Sequence, residues 1–283
     1  MVRPSHFRVE YVINPYMDAA VQPDARLALA QWQGLRAAIE RAGGTVAVVE
    51  QLPEAPDMVY AMNLGLVVSD QAVLSHMRYA ERRMETEVAE TWFTAAGFKT
   101  TYVGQDGIGA HLEAGDAFAF GDALVVGYGP RTELLALKHL ATSLDVKVRG
   151  LRIAHAGMYH LDLAFCPLDE TRAMVCPAAF DEESAAAALA MVPEPLVLTE
   201  EEALTFCANS IVVGTTVLMP ACPPRVRQQL ECWGFSIEIV DVTEFHKGGG
   251  SIRCLTNPTD VRLGRDLVLR DVIRGGCPGD PLA

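Results

Sequence analysis

The sequence predicts an α/β chain that closes into a five-bladed αβ-propeller of pseudo-repeated ββαβ units, and three observations point there. Pairs of short apolar runs flank turn residues, a helix-forming stretch follows each pair, and one more strand-like run follows each helix. The hairpin-like pairs are LVVSDQAVLS at 66–75, AFAFGDALVVG at 117–127, LAFCPLDETRAMVCP at 163–177 and SIVVGTTVLMP at 210–220. Their spacing of roughly 45 to 50 residues lies in the range of repeat architectures. The helices that follow are AERRMETEVAETWFTAAG, TELLALKHLATSL, DEESAAAALAMV and PPRVRQQLECWG, with apolar residues at three- and four-residue steps. Several open on Asp, Thr or Pro and close on Gly, as helix ends prefer. The closing strands are KTTYVG, VKVRGLRI, EPLVLT and FSIEIVDV. QWQGLRAAIERAGGTVAVVEQL supplies a fifth helix and strand, whose hairpin is expected from YVIN at 11–14 or from the segment around Cys254. A doubly wound sheet of single strands and helices accommodates the doubled strands poorly.

At 283 residues, half of them hydrophobic, the chain can bury a sizeable core. No signal-like start is seen in MVRPSHFRVEYV, and no apolar run approaches the roughly 18 residues of a membrane helix, so no membrane partner and a cytoplasmic location are expected. The net charge of −13 argues against a nucleic-acid partner and suits a cationic small molecule. The seven cysteines include no CxxC pair, and His6, His76, His111, His139 and His155 have no ligand spacing, so neither metal nor cofactor is implied. The composition leaves a homo-oligomer open. A single domain, 1–283, is expected.

In a five-unit ring, one polar loop per unit converges on the axis. These loops are PDMVYAMN at 56–63, HLEAGDAF at 111–118, YHLDLAF at 159–165, CANS at 207–210 and KGGGSIRC at 247–254. Acids, a histidine and a cysteine thus occupy matching positions in successive repeats. The three glycines can adopt backbone angles closed to other residues and leave room beside Cys254, while Lys247 and Arg253 would favour its thiolate if they lie near it.

PDMVYAMN, LEAGDAF, YHLD and EFHKGGGSIRCLT resemble the motifs of the guanidine-modifying superfamily, which includes arginine deiminases, dimethylarginine dimethylaminohydrolases and amidinotransferases. The resemblance runs over about 7–258, leaving 259–283 as a C-terminal tail. HFRVEYVINPYMD, LTFCANSIVV and KGGGSIRCLT look most like the arginine dihydrolase branch. The fold implied is the pentein, the same five-bladed propeller. The activity implied is hydrolysis at the guanidino group of arginine or a related compound. Such a carbon is a poor electrophile and calls for a thiolate nucleophile, carboxylates to hold the cation, and a group that moves protons near neutral pH.

By resemblance, Cys254 is the nucleophile, forming a thiouronium intermediate. His160 is the acid and base, Glu113 holds it or the substrate nitrogen, and Asp162 pairs with the guanidinium. Arg82 and Arg131 match arginines that meet the substrate carboxylate, Asp116 supports the site, and Asp57 joins the substrate-binding set. Each has a bland reading as well: Asp57, Asp116 and Asp162 as turn residues, His160 as a satisfied half-buried histidine, and the arginines as solvated helix-start residues. Deiminases and dimethylarginine hydrolases commonly carry aspartate where this chain has Asn63. The dihydrolase branch has asparagine there, and a second that matches Asn14. An amide both donates and accepts, so it can hold a neutral ureido group and permit a second attack, giving ornithine, ammonia and carbon dioxide. Met62 and Leu64, bulkier than the usual neighbours, leave the substrate open. The alternatives are a dimethylarginine hydrolase, an arginine deiminase, and a noncatalytic propeller that binds a partner.

Overall fold

The computed structural model describes residues 1–105 and 108–263, so 264–283 of the expected tail, with Cys277, lies outside the described residues. In chain order the elements are α1 (Ala25–Arg41), β1 (Gly65–Val68), β2 (Gln71–Leu74), α2 (Glu85–Ala95), β3 (Lys99–Tyr102), β4 (Gly104–Gln105) and β5 (Ile108–Gly109). They continue with β6 (Ala117–Phe120), β7 (Ala123–Tyr128), α3 (Leu134–Leu144), β8 (Lys147–Arg152), β9 (Phe165–Pro167), β10 (Arg172–Val175), α4 (Glu182–Met191) and β11 (Glu194–Val197). The last are α5 (Glu200–Leu204), β12 (Ile211–Val213), β13 (Thr216–Met219), α6 (Pro224–Cys232), β14 (Ser236–Ile239) and α7 (Thr243–His246).

Four three-stranded sheets have one plan. An antiparallel hairpin is joined on its second strand, in parallel, by the strand that follows the helix: β1-β2-β3, β6-β7-β8, β9-β10-β11 and β12-β13-β14. These are the hairpins and closing strands that the sequence predicts. Ser69, Gly121 and Gly214 open the tight turns of the first, second and fourth hairpins with positive φ, matching the right-handed twist of the flanking strands. Each helix lays its apolar face on its own sheet: Ala89 and Phe93 of α2 meet Val67, Ala72 and Leu74, and Leu137 and Leu140 of α3 meet Leu124 and Val126. Burying each such large side chain contributes about 1.5 to 3 kcal/mol.

The fifth unit departs from expectation. Helix α1 forms, capped by the Asp24 carboxylate on the N–H groups of Arg26 and Leu27, both at 2.9 Å. Its hairpin does not form from either candidate. YVIN is not a strand, and the Cys254 segment is a run of turns in which Leu255 N–H bonds Ser251 O and Thr256 N–H bonds Arg253 O. Those bonds consume the groups a sheet would need. A single parallel bridge, Val2 to Val49, stands in the hairpin's place, and it stops where Pro4 has no N–H to give.

Short 3-10 turns precede β1, β6 and β9, at Ala61–Leu64, Ala114–Asp116 and Leu161–Leu163, and successive turns touch. The Cys254 segment closes the circle: Arg253 N–H bonds Asn209 O at 3.1 Å, and Met62 N–H bonds Cys254 O at 3.0 Å. Among the described residues no helix is long and apolar enough to cross a membrane.

Candidate active site

The turns that close the ring also deliver the polar side chains. Glu113 and His160 stand at the residue before their turns, as Tyr60 does in the first unit, while Asn63, Asp116 and Asp162 lie within theirs. One cavity is lined by Asn14, Asp57, Asn63, Arg82, Arg131, His160 and Cys254, together with Ile13, Tyr60, Tyr159, Gly248 and Gly250. Glu113, Asp116 and Asp162 stand directly behind this lining, and all ten residues singled out in the sequence are brought together, each buried.

At Cys254 the Sγ lies 3.2 Å from Asp162 Oδ2, to which the thiol donates, and 3.2 Å from Asn209 Nδ2, which donates to the sulfur. Burial first, then the Asp162 carboxylate, pushes this thiol well above the ordinary range. The neighbouring cations do not offset that. Lys247 pairs with Glu244 at 2.7 Å and is outside the cavity lining, and Arg253 lies over the Phe118 ring at 4.7 Å. The expected promotion of the thiolate by Lys247 is therefore not built.

Across the cavity His160 Nε2 donates to Glu113 Oε2 at 2.7 Å, and Arg131 Nη1 donates to the same oxygen at 2.9 Å. Burial alone would raise the Glu113 pKa, yet Arg131 and His160 hold it well below the carboxylate range. Ionised Glu113 thus fixes the ring and leaves Nδ1 for the cavity. A Cβ placed on Gly115 would meet Asn63 Oδ1 at 2.9 Å, Asp162 Oδ2 at 3.2 Å and His160 Nδ1 at 3.3 Å, so these three atoms converge over one glycine.

Arg82 and Arg131 are not the solvated residues of their bland reading. Arg82 is bidentate on Glu85 at 2.8 Å and bonds Asp57 O at 3.1 Å. Arg131 also bonds Ile13 O and lies between the Tyr79 and Tyr159 rings. Asp116 Oδ1 accepts the Leu161 N–H at 2.9 Å, which sets the His160 turn. Asn14 Nδ2 bonds Gly248 O at 3.0 Å.

The three glycines have a second reason. Gly249 has φ +88, and a Cβ there would strike Asn14; one on Gly250 would come within 2.4 Å of Tyr60 Cε1 and 3.0 Å of Cys254 Cβ. The space beside them is taken up by protein side chains. Tyr60 and Tyr159 brace the same loop through their hydroxyls, on Phe245 O at 2.7 Å and Gly249 O at 2.6 Å. PDMVYAMN, YHLD and CANS also carry Tyr60, Tyr159 and Asn209, which none of the motifs marks as part of the site. Their position within the repeated turns was the available signal. Met62 and Leu64 line other cavities, so their bulk does not bear on this one.

Among the described residues, Asp57 Oδ1 and Asp162 Oδ1 are buried and accept no hydrogen bond. Burial raises both groups to about 7. Unpaired carboxylate oxygens at that depth are costly unless a cation neutralises them. The linkage for Asp162 has a definite sign. Its folded pKa lies above the ordinary 3.8, so its contribution is most favourable below about pH 4 and is lost as pH rises through about 7. Asp162→Asn is expected to raise the thermal midpoint at pH 8 by several degrees, with the gain shrinking steadily toward pH 4. Thermal melts across that range check it, and a gain that does not vary with pH would contradict it.

Fold and site together define a pentein of the guanidine-modifying superfamily. The family described as "N,N dimethylarginine dimethylhydrolase, eukaryotic" matches residues 3–261, a little beyond the resemblance seen in the sequence, and the chain belongs to it. The N(G),N(G)-dimethylarginine dimethylaminohydrolase of Mycobacterium tuberculosis is 33% identical over 258 residues, which cover 90% of this chain and 83% of that protein. The bifunctional arginine dihydrolase/ornithine cyclodeaminase AgrE of a Nostoc species is 35% identical over 262 residues, 90% of this chain but 37% of that longer protein. The product-bound crystal structure of the N-terminal domain of ArgZ, an arginine dihydrolase from cyanobacteria, matches with TM-score 0.89 at 32% identity, covering 94% of this chain and 98% of that one.

Proposed function

We propose that this chain hydrolyses the guanidino group of arginine twice in one pocket, giving ornithine, ammonia and carbon dioxide. The coarser statement, a hydrolase of guanidino carbon–nitrogen bonds, is supported by family membership and by a cavity that combines a cysteine, a histidine and unpaired carboxylates. One observation carries the finer statement. Asn63 Oδ1 already accepts the Gly115 N–H at 2.8 Å, so the amide offers the cavity its N–H donors. A donor suits the carbonyl oxygen of a ureido group, and a carboxylate in its place would not.

In this reading the guanidinium lies between Asp162 and Asp57, and its charge compensates their unpaired oxygens. The Cys254 thiol loses its proton to His160 Nδ1 as the cation arrives, because a positive charge beside the sulfur favours the thiolate. Sulfur attacks the guanidinium carbon, and the imidazolium returns the proton to the departing nitrogen, which leaves as ammonia. His160 then takes a proton from water, whose oxygen adds to the thiouronium carbon. Collapse breaks the S–C bond and yields a ureido group. Held by Asn63, that group is attacked again, and the second nitrogen leaves as ammonia with a proton from His160. Water activated by His160 cleaves the resulting S-carbamoyl bond and frees the thiolate, and the carbamate left on the ornithine nitrogen loses carbon dioxide. Among the described residues Arg82 Nη1 and Arg131 Nε make no hydrogen bond, and they are assigned to the α-carboxylate.

Incubation with arginine, citrulline and dimethylarginine, followed by amino-acid and amine analysis, separates the readings. Ornithine with two ammonia per arginine, and consumption of citrulline, is the expected result. Dimethylamine and citrulline from dimethylarginine alone would favour the dimethylarginine hydrolase reading, and no turnover of any of the three would favour a noncatalytic propeller.

A further inference from the structure

We infer that Asn209 is a further catalytic residue, whose side-chain amide fixes the position of Cys254 Sγ and stabilises its anionic form. This rests on the reading of Cys254 as the nucleophile. Asn209 is fully buried in the turn before β12, on the unit of the ring that otherwise places no polar side chain among the ten residues singled out above. Its three hydrogen bonds determine which way the amide faces. The Cys254 N–H needs an acceptor and meets Oδ1 at 3.2 Å; the Asp162 carbonyl needs a donor and meets Nδ2 at 3.0 Å. The second proton on Nδ2 then reaches Cys254 Sγ at 3.2 Å.

The backbone nitrogen and the sulfur of the same cysteine are therefore held by one planar group. That couples the rotamer of Cys254 to the peptide that carries it, so the sulfur cannot swing away without breaking both bonds. Among the described residues Asn209 supplies the one side-chain donor at Sγ. The other side-chain contact, Asp162 Oδ2, is an acceptor and disfavours the thiolate. When the thiol proton departs, Sγ keeps the Nδ2–H, and a buried anion gains a preorganised donor that costs no reorganisation. Asn209 also holds the chain of Asp162, so the sulfur and the acid that accepts its hydrogen bond share a single brace.

The test measures alkylation of Cys254 by iodoacetamide across pH 6 to 10, read on the Cys254 peptide by mass spectrometry, alongside turnover of arginine. For Asn209→Ala the alkylation profile is expected to move up by at least one pH unit, and kcat to fall about 10- to 100-fold, with KM changed less than threefold. Asn209→Ser, which keeps a small donor, should lie between the two and guards against a misfolded alanine variant. Thermal melts establish that each is folded. An alkylation profile in either folded variant that superimposes on the wild-type curve would overturn the inference. Alkylation needs no guanidino substrate: a shifted profile in a protein that turns over none of the candidates would keep Asn209's role and sink the proposed reaction instead.

Discussion

Cys254→Ser is expected to lower ammonia release from arginine at least about 1,000-fold while leaving the fold intact. The size of the loss follows from chemistry, since removing the nucleophile of a concerted set costs several orders of magnitude. A serine hydroxyl is a far weaker nucleophile toward a delocalised cation, and it is far less acidic than a thiol, so it keeps the proton that the thiol gives to His160. The retained fold follows from geometry. The hydroxyl is slightly smaller than the thiol, donates to Asp162 and accepts from Asn209, so no buried polar group loses its partner. Ammonia assays and thermal melts on the same preparation check both halves. Residual turnover within tenfold of wild type would remove Cys254 from the chemistry, whatever the melt shows.

Asn63→Asp should change the product. Its carboxylate can still accept the Gly115 N–H, so the local turn is preserved. What it cannot do is donate to a ureido oxygen, and it adds a negative charge to a cavity already lined by Asp57, with Asp162 behind it at the Cys254 sulfur. A cationic first substrate tolerates that charge, whereas the neutral second substrate gains nothing from it. Arginine is expected to be converted to citrulline with one ammonia each, and citrulline turnover to fall at least about 100-fold, of the size that follows when one partner of a buried hydrogen bond is missing. Chromatography of the products after complete arginine consumption distinguishes the cases. Continued ornithine formation at the wild-type ratio would mean that Asn63 does not select the second step.

The repeated hairpins were legible because each carries its own turn chemistry within a dozen residues, and the parallel strand after each helix was legible from spacing. The fifth unit was not. Its pairing is a single bridge between Val2 and Val49, nearly 50 residues apart, with no alternation of apolar residues to mark it. The site loops could be read because the motif in each of the first four units lies just before the first hairpin strand, where the ring must turn. What those loops do for one another was hidden. The three glycines suggested ligand space, whereas the structure also spends that space on Asn14 and Tyr60, which approach from more than 180 residues away. Lys247 read as a partner for the thiolate, but Glu244, one helical turn earlier, holds it. Asn209 showed no signal beyond its place in CANS, because its value lies in which of its atoms faces the sulfur.

Arginine labelled with carbon-13 at the guanidino carbon, followed by NMR during turnover, is the most direct measurement. Release of the label as carbon dioxide and bicarbonate, with two ammonia for each ornithine formed, is the predicted result. Label that stops in the ureido carbon of citrulline would contradict the second hydrolysis, and label that stays in arginine would contradict the first.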